Sequence, residues 1–309
     1  MRRRTFLSLA GAATAYASLA AACERGAREW PVGYQLFSVR DAMASDPLGT
    51  LTALRDMGYR HFEGYGYDAD ADRLYGMPPA TLADHLAALG TPMTSAHFGF
   101  AAYLDPAAGG TDALRRYTDA CLGAAEALGL DYLVWPVVPA AYRTADGYAR
   151  LAESLNVIGE QLAGSGRQLA FHNNGGEFAP LPPARGGDGA RSGYDIVLAG
   201  TDPARVRLQL DMYWLAHDDA GLTPAEIVAR APGRVELWHV KDMHPASRDY
   251  TELGAGTLDY AALLPDPAAS GLRHLYLEQG GNYASDSMAS AETNVSHWRN
   301  ALAGQLAAR

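Results

Sequence analysis

The chain has 309 residues, of which 48% are hydrophobic and 19% are charged, and its formal net charge is −10. This length and composition can supply one large hydrophobic core and differ from those of disordered or repeat proteins. The acidic balance disfavours nucleic acid as a partner, because the phosphate backbone would be repelled.

The first 22 residues have the pattern of an export signal. Arg2, Arg3 and Arg4 precede an apolar, alanine-rich stretch that ends in small residues. The paired arginines resemble a twin-arginine signal, which predicts export to the periplasm of a bacterium. This segment holds three arginines and no acidic residue, so its removal leaves 22 basic residues against 35 acidic ones, a formal charge of −13.

Cys23 directly follows three alanines, as the acceptor cysteine of a lipoprotein would. The leucine usual in such a signal lies one residue too far from the cysteine, at Leu19. Both lipidation at Cys23 and simple cleavage near Ala22 therefore remain open. The other cysteine, Cys121, falls within a predicted helix, and no intrachain disulfide is expected.

A linker at residues 23–30 leads into one predicted domain, residues 31–309, in which apolar strands alternate with helices. Strands are predicted at 32–40, 59–66, 93–99, 131–138, 167–174, 206–214, 235–243 and 274–279. Helices are predicted at 47–57, 78–89, 111–128, 148–162, 193–199, 223–230, 259–264 and 289–308, and the Pro- and Gly-rich residues 180–192 are predicted as a loop. Eight strands that alternate with helices indicate a parallel sheet, and their number favours a closed (β/α)8 TIM barrel of the α/β class.

The last four strands each end in a residue that can bind a metal ion. These residues are His172, Asp211, His239 and Glu278. In such a barrel the carboxyl ends of consecutive strands form one arc, where catalytic residues gather. Two imidazoles and two carboxylates suit Mn²⁺, Zn²⁺, Co²⁺ or Fe²⁺ better than Ca²⁺ or Mg²⁺. We predict one divalent metal ion, with Mn²⁺ as the first choice.

Other polar and aromatic residues are predicted to contact a substrate in the same cavity. His97 and Glu63 end the third and second strands and are expected to bind substrate hydroxyls, and Asn173 joins them. Aromatic residues are expected to form a wall for a sugar ring, with core packing as the alternative for each. The candidates are Tyr34, Trp135, Tyr213 and Trp214.

Several motifs resemble the xylose isomerase-like TIM-barrel superfamily, in its sugar phosphate isomerase/epimerase branch. They are GYQLFSVRDAM, MTSAHFG, FHNNGGEF, LDMYW, WHVKDM, ELGAGTLDY and LYLEQG, and they extend over residues 32–308. The resemblance implies a divalent cation held by Asp211, His239, Glu278 and a residue of the fifth strand. Better-known epimerases carry a glutamate on that strand, so the fifth-strand ligand remains open between His172 and Glu177.

The same resemblance implies proton abstraction next to a carbonyl, through an enediolate that the cation stabilises. Glu278, Glu177 and Lys241 are the candidate bases, and a salt bridge to Asp242 is the alternative role for Lys241. The stretch Glu252–Tyr260 resembles the family's loop after the seventh strand, where two glycines would let the backbone approach the ligand closely.

The first functional hypothesis is a metal-dependent sugar isomerase or epimerase. A metal-dependent 3-keto-glycoside lyase or hydratase, which would use the same enolate, is the alternative. The second alternative is a non-catalytic periplasmic sugar-binding lipoprotein. The partner in each case is a small sugar or keto-sugar, with membrane contact only through a lipid on Cys23. A homo-oligomer is compatible with the sequence. The superfamily's abasic-DNA endonucleases are disfavoured by the acidic charge and by too few additional histidines.

Overall fold

The computed structural model describes residues 30–182 and 191–309. The predicted export signal, Cys23 and most of the predicted loop at 180–192 lie outside these residues. Eight parallel strands form a closed barrel, in which each strand pairs with its neighbours in chain order and the last pairs with the first. The predicted (β/α)8 barrel is therefore confirmed.

The strands are short and almost entirely buried. Those of the barrel are β1 Val32–Gln35, β2 His61–Tyr65, β3 Met93–His97, β4 Tyr132–Trp135, β5 Gln168–His172, β6 Val206–Asp211, β7 Leu237–Val240 and β10 His274–Leu277. Two further strands, β8 Asp242–Met243 and β9 Tyr250–Thr251, pair antiparallel in the loop after β7. Parallel strands buried on both faces read as continuous apolar runs, which explains their clear sequence signal.

Helices surround the barrel between the strands. They are α1 Arg40–Ser45, α2 Pro47–Met57, α3 Pro79–Leu89, α4 Gly110–Leu128, α5 Ala145–Gln161, α6 Gly193–Gly200, α7 Met212–His217, α8 Pro224–Arg230, α9 Tyr260–Leu263, α10 Pro267–Ser270, α11 Ser287–His297 and α12 Ala303–Ala307. A π-helical turn, Trp298–Leu302, joins the last two, and short 3-10 turns lie at Leu36–Val39, Phe100–Leu104, Pro106–Ala108 and Ala140–Tyr142. None of the helices in the described ranges has the length and apolar character needed to cross a membrane.

Helix α2 has the ends that the sequence predicts. Asp46 accepts a hydrogen bond from the backbone N–H of Gly49, and Pro47 occupies the first turn. Gly58 ends the helix with a φ of 114°, a left-handed conformation that a side chain would oppose. Local chemistry thus sets both ends of this helix.

Every predicted barrel strand extends beyond the observed one, and two of them show the cause. The sixth was predicted to reach Trp214, but it ends at Asp211, whose Oδ1 accepts the Trp214 backbone N–H at 3.0 Å and caps α7. The first was predicted to reach Arg40, but it ends at Gln35, whose side-chain oxygen accepts the Phe37 backbone N–H at 2.9 Å. In both cases a polar side chain satisfies the backbone of the following turn, an effect that apolar periodicity does not reveal.

The carboxylate of Asp242 organises the loop after β7. It accepts backbone N–H groups from Gly254 at 2.9 Å, Gly256 at 3.2 Å and Leu258 at 3.1 Å. A Cβ at position 256 would lie 2.1 Å from Asp242 Oδ1. The prediction that these glycines let the backbone approach a ligand is therefore wrong, because the group that they approach is Asp242.

We expect Asp242→Ala to lower the free energy of unfolding by about 3 kcal/mol, because three backbone N–H groups of the loop would lose a buried charged acceptor. Urea denaturation of the purified variant measures this loss. Glu153→Ala, which removes an exposed carboxylate from α5, is the control and should change the value by less than about 0.5 kcal/mol. An equally small effect for Asp242→Ala would contradict the assigned role.

Candidate metal centre

Four side chains from consecutive barrel strands converge at the carboxyl end of the barrel. His172, Asp211 and Glu278 lie around His239, and each residue offers one atom within 4.8 Å of the others. Asp211 Oδ2 lies 3.4 Å from His172 Nε2 and 3.8 Å from His239 Nδ1. Glu278 Oε2 lies 2.7 Å from His239 Nδ1. We call these residues the four-residue cluster; the sequence predicted all of its members.

The second polar atom of His172 and of Asp211 is fixed by the backbone. His172 Nδ1 lies 2.8 Å from the carbonyl oxygen of Pro136 and must donate to it, since a carbonyl only accepts. Burial lowers the pKa of His172 to about 4, so Nε2 carries a lone pair that faces the cluster. Asp211 uses Oδ1 for the Trp214 N–H, which leaves Oδ2 for the cluster.

The second polar atom of His239 and of Glu278 meets a charged side chain. His239 Nε2 lies 2.5 Å from Glu63 Oε2, and Glu278 Oε1 lies 2.9 Å from Lys241 Nζ. Burial lowers the pKa of His239, but Glu63 and Glu278 outweigh this effect and raise it to about 9. Because Glu63 fixes Nε2, Nδ1 is the atom of His239 that faces the cluster.

The atoms that remain are His172 Nε2, Asp211 Oδ2, His239 Nδ1 and Glu278 Oε2. All four are buried without a hydrogen bond of acceptable geometry, although some lie at ion-pair distance from each other. Unsatisfied buried polar atoms are costly, and four that converge call for a ligand. The ligand atoms of a tetrahedral ion at about 2.1 Å lie roughly 3 to 4 Å apart. The cluster could therefore hold a divalent metal ion.

Lys241 completes the charge balance beside the cluster. Its Nζ lies 2.7 Å from Asp211 Oδ2 and 2.9 Å from Glu278 Oε1. The predicted alternative, a salt bridge to Asp242, is wrong. Burial lowers the pKa of Lys241, but Asp211 and Glu278 outweigh it and raise that pKa above its ordinary value. A lowered pKa, expected for a catalytic base, is therefore not found in this arrangement.

Glu63 lies beneath the cluster and does not line the cavity, so its predicted contact with substrate is wrong. Its carboxylate accepts hydrogen bonds from Gln35 at 2.9 Å, Ser95 at 2.6 Å and Gln209 at 2.7 Å, besides that from His239. Burial alone would raise the pKa of Glu63, but His97 and His239 lower it well below its usual range. Glu63 thus orients His239, a candidate metal ligand, through a charged hydrogen bond.

Asn173 is buried and also makes no substrate contact. Its Nδ2 donates to the carbonyl oxygen of Asp211, and its Oδ1 accepts the Asp211 N–H, both at 3.0 Å. This pair of bonds ties the end of β5 to the end of β6. The sequence prediction for Asn173 was wrong because an amide at a strand end can satisfy the neighbouring backbone as well as a ligand.

A cavity of about 440 Å³ opens above the cluster. It is lined by Gln35, Phe37, Tyr65, Gly66, Tyr67, His97, Phe98, Gly99, Pro136, Val137, His172, Asn174, Lys241, Tyr250, Glu278 and Gly280. The predicted contact His97 belongs to this lining, and its Nε2 lies 2.9 Å from Gln209 Oε1 and 3.2 Å from Glu63 Oε2. Gln209 lies buried within an apolar strand, and nothing in the sequence indicated that its amide would contact both His97 and Glu63.

The predicted aromatic wall consists of the wrong residues. Tyr34 is buried and packs on Tyr59 with ring centroids 4.4 Å apart. Trp135 and Tyr213 are also buried, and Trp214 lines a separate cleft beside Arg143 and Asp218. The aromatic side chains that do line the cavity are Phe37, Tyr65, Tyr67, Phe98 and Tyr250.

Glu177 is buried in the loop after β5, outside the lining of the cavity. Its Oε2 accepts the Asn174 backbone N–H at 3.2 Å, while Oε1 has no hydrogen-bond partner. Because the Nε2 of His172 faces the cluster and Glu177 does not belong to it, His172 is the fifth-strand candidate ligand. Burial raises the pKa of Glu177 to about 7.

This raised pKa predicts a pH-dependent stability. Between about pH 4.5 and 7 the folded protein holds a proton on Glu177 that the unfolded chain has released. The stabilisation from this proton is therefore lost as the pH rises from about 4.5 through 7. We expect Glu177→Gln, which stays neutral, to gain melting temperature relative to the wild type between about pH 5 and 8. Melting curves over this range test it; a difference independent of pH would contradict the assignment.

A family model, described as "Xylose isomerase-like TIM barrel", matches residues 51–280. A sugar phosphate isomerase/epimerase from Parabacteroides distasonis ATCC 8503 is 19% identical, with a TM-score of 0.75 over 89% of this chain and 96% of that one. An L-ribulose 3-epimerase is 17% identical, with a TM-score of 0.65 over 91% and 96% of the two chains.

The IOLI protein, whose structure contains a zinc atom, is 15% identical, with a TM-score of 0.65 over 86% of this chain and 95% of that chain. At these identities the solved structures show that the fold is shared. No curated protein matches the sequence.

Proposed function

Since the chain belongs to the xylose isomerase-like TIM barrel family, we propose that it is a divalent-metal-dependent enzyme that abstracts a proton next to a sugar carbonyl, as an isomerase or epimerase. The observation that carries this proposal is the convergence of four buried ligand-type atoms in the four-residue cluster. The solved relatives described as isomerases or epimerases support the reaction class, and the zinc in the IOLI protein supports a metal.

His172, Asp211, His239 and Glu278 would hold the ion, with Mn²⁺ as our first choice. When bound, a divalent cation would supply Lewis-acid stabilisation of the negative charge that develops on a substrate oxygen. Glu278 also faces the cavity, since its side chain is 10% exposed, whereas the Asp211 side chain is fully buried. We therefore assign Glu278 as the base and Lys241, whose amine lies beside it, as the group that donates a proton.

The described lining of the cavity contains Glu278 and no other carboxylate. A proton transfer between neighbouring carbons on one face of a sugar can use a single carboxylate. Epimerisation by two carboxylates, one on each face, has no second carboxylate here, because His172 occupies the fifth-strand position and Glu177 lies outside the lining. Within the proposed class, this geometry favours isomerisation.

The same observation favours a second candidate, a lyase for 3-keto-glycosides. Glu278 would remove the proton next to the ketone, and the electron pair of that C–H bond would form a C=C bond as the glycosidic C–O bond breaks. The Lys241 ammonium group would give its proton to the departing oxygen and become the neutral amine. This elimination uses one carboxylate and one proton donor, which the cavity supplies.

We expect Mn²⁺-loaded protein in deuterated water to introduce deuterium next to the carbonyl of its substrate, because the abstracted proton exchanges with solvent. NMR of a panel of aldoses, ketoses and 3-keto-glycosides measures this, and only the lyase also releases an aglycone. Glu278→Gln should abolish exchange. Absence of exchange with every sugar, despite one bound ion per chain, would contradict the enzyme proposal and favour a sugar-binding protein.

A further inference from the structure

The lining of the cavity is mainly aromatic on one side, where Gln35 and His97 also lie, and mainly polar on the other, which includes Tyr250. Phe37, Tyr65, Tyr67 and Phe98 follow or end strands β1 to β3, whereas most of the polar lining comes from the ends of β5, β7 and β10. The hydroxyl of Tyr67 donates to Asp72 Oδ1 at 2.8 Å, so this polar group is already paired with the protein. A free monosaccharide carries hydroxyls around its whole ring, and the aromatic side would leave some of them without partners.

Phe37 is the one large hydrophobic side chain in the described ranges that is exposed, at 42%. Its ring is held by two neighbouring side chains. The Arg40 guanidinium carbon lies 4.5 Å from the ring centroid, and Tyr65 meets the ring edge-on with centroids 5.3 Å apart. Arg40 is fixed in turn by the carbonyl oxygen of Gly280 at 3.0 Å and the hydroxyl of Tyr283 at 3.2 Å. An exposed ring held in this way is suited to contact a ligand.

Phe37 is also linked to the four-residue cluster. Its backbone N–H donates to Gln35 Oε1 at 2.9 Å, and Gln35 Nε2 donates to Glu63 Oε2 at 2.9 Å. The same Glu63 oxygen pairs with His239. A short chain of hydrogen bonds therefore fixes the position of the Phe37 backbone relative to His239 in the four-residue cluster. We infer that the ring and the cluster contact two parts of one molecule.

We propose that the substrate is a 3-keto-glycoside with an aryl group, and that Phe37 determines this specificity. The sugar oxygens would lie at the polar side, and the aryl group would pack against Phe37 and Tyr65. The sugar half of this inference rests on the lyase candidate of the proposed function, for which plain glycosides serve as unreactive analogues, while the aryl half rests on the aromatic lining. A volume of about 440 Å³ lies within the range of cavities that bind ligands larger than one sugar ring.

The test is calorimetric binding of phenyl and methyl glycosides of glucose, galactose, mannose and xylose to Mn²⁺-loaded protein. For at least one sugar we expect the phenyl glycoside to bind about tenfold more tightly than the methyl glycoside. Phe37→Tyr keeps the ring and should retain this preference. Phe37→Ala should remove most of it. Because Phe37 is exposed, its truncation should leave the fold intact, which circular dichroism checks.

Equal affinities for each phenyl and methyl pair, or no binding of any phenyl glycoside at about 10 mM, would overturn the proposal. A phenyl preference that survives in Phe37→Ala would also overturn the proposal. If that variant keeps the preference but its molecular mass in solution changes, Phe37 lies between copies of the chain and not against a ligand. The binding ratio does not require turnover. Failure of the proposed reaction alone would appear as a retained phenyl preference without deuterium exchange.

Discussion

Asp211→Asn is expected to lose its metal ion, from about one equivalent per chain to less than about 0.1, and to lower turnover about 1000-fold. The variant keeps an oxygen that can accept the Trp214 N–H, so the start of α7 is retained. It loses the anionic Oδ2, which lies within reach of His172 and His239 and pairs with Lys241. Elemental analysis of the dialysed protein measures the metal content.

Asp219→Asn is the matched control for this variant. Asp219 follows α7, and its side chain is 81% exposed and pairs with Arg248 at 3.0 Å. Its removal should leave metal content and turnover unchanged, because exposed ion pairs contribute little. If Asp211→Asn retains a full equivalent of metal while circular dichroism shows a native fold, Asp211 is not a ligand.

Glu63→Gln is expected to weaken metal binding 10- to 100-fold, although Glu63 does not reach the ion itself. Glu63 accepts from His239 Nε2, so that when an ion replaces the proton on Nδ1 the lone pair of that nitrogen is directed at the cluster. The amide NH₂ of a glutamine would favour the other tautomer of His239, with the proton on Nδ1 and no lone pair for the metal. Calorimetric titration of metal-free protein with Mn²⁺ measures the loss.

Ser95→Ala is the control for the network around Glu63. It removes the 2.6 Å hydrogen bond from Ser95 to Oε1 and leaves the contact with His239 in place. We expect its Mn²⁺ affinity to stay within about threefold of the wild type. A Glu63→Gln variant that binds Mn²⁺ as tightly as Ser95→Ala would show that Glu63 does not orient His239.

The barrel could be predicted because its signals are local. Asp46, Pro47 and Gly58 mark the ends of α2, and each buried strand appears as a short apolar run. The four-residue cluster could be predicted for a related reason. In a parallel barrel the end of each strand reaches the same rim, so a metal-type residue at that point has a known place in the fold.

The roles of residues around the cluster could not be predicted, because the sequence does not show how far below the rim of the barrel each side chain lies. Glu63 and His97 both lie near strand ends, yet only His97 lines the cavity, while donors from neighbouring strands surround Glu63. Phe37 was assigned to a strand because nothing local revealed that the Gln35 side chain would turn the backbone. Export of the chain and lipidation at Cys23 remain predictions, since those residues lie outside the described ranges.

The central claim is that His172, Asp211, His239 and Glu278 bind one divalent cation. Anomalous diffraction from crystals grown with Mn²⁺ tests it most directly. We expect one anomalous peak within about 2.0 to 2.3 Å of His172 Nε2, Asp211 Oδ2, His239 Nδ1 and Glu278 Oε2. Lys241 should shift away from the two carboxylates that it now pairs with. Crystals with saturating Mn²⁺ that show no peak there, and Lys241 still between Asp211 and Glu278, would contradict the claim.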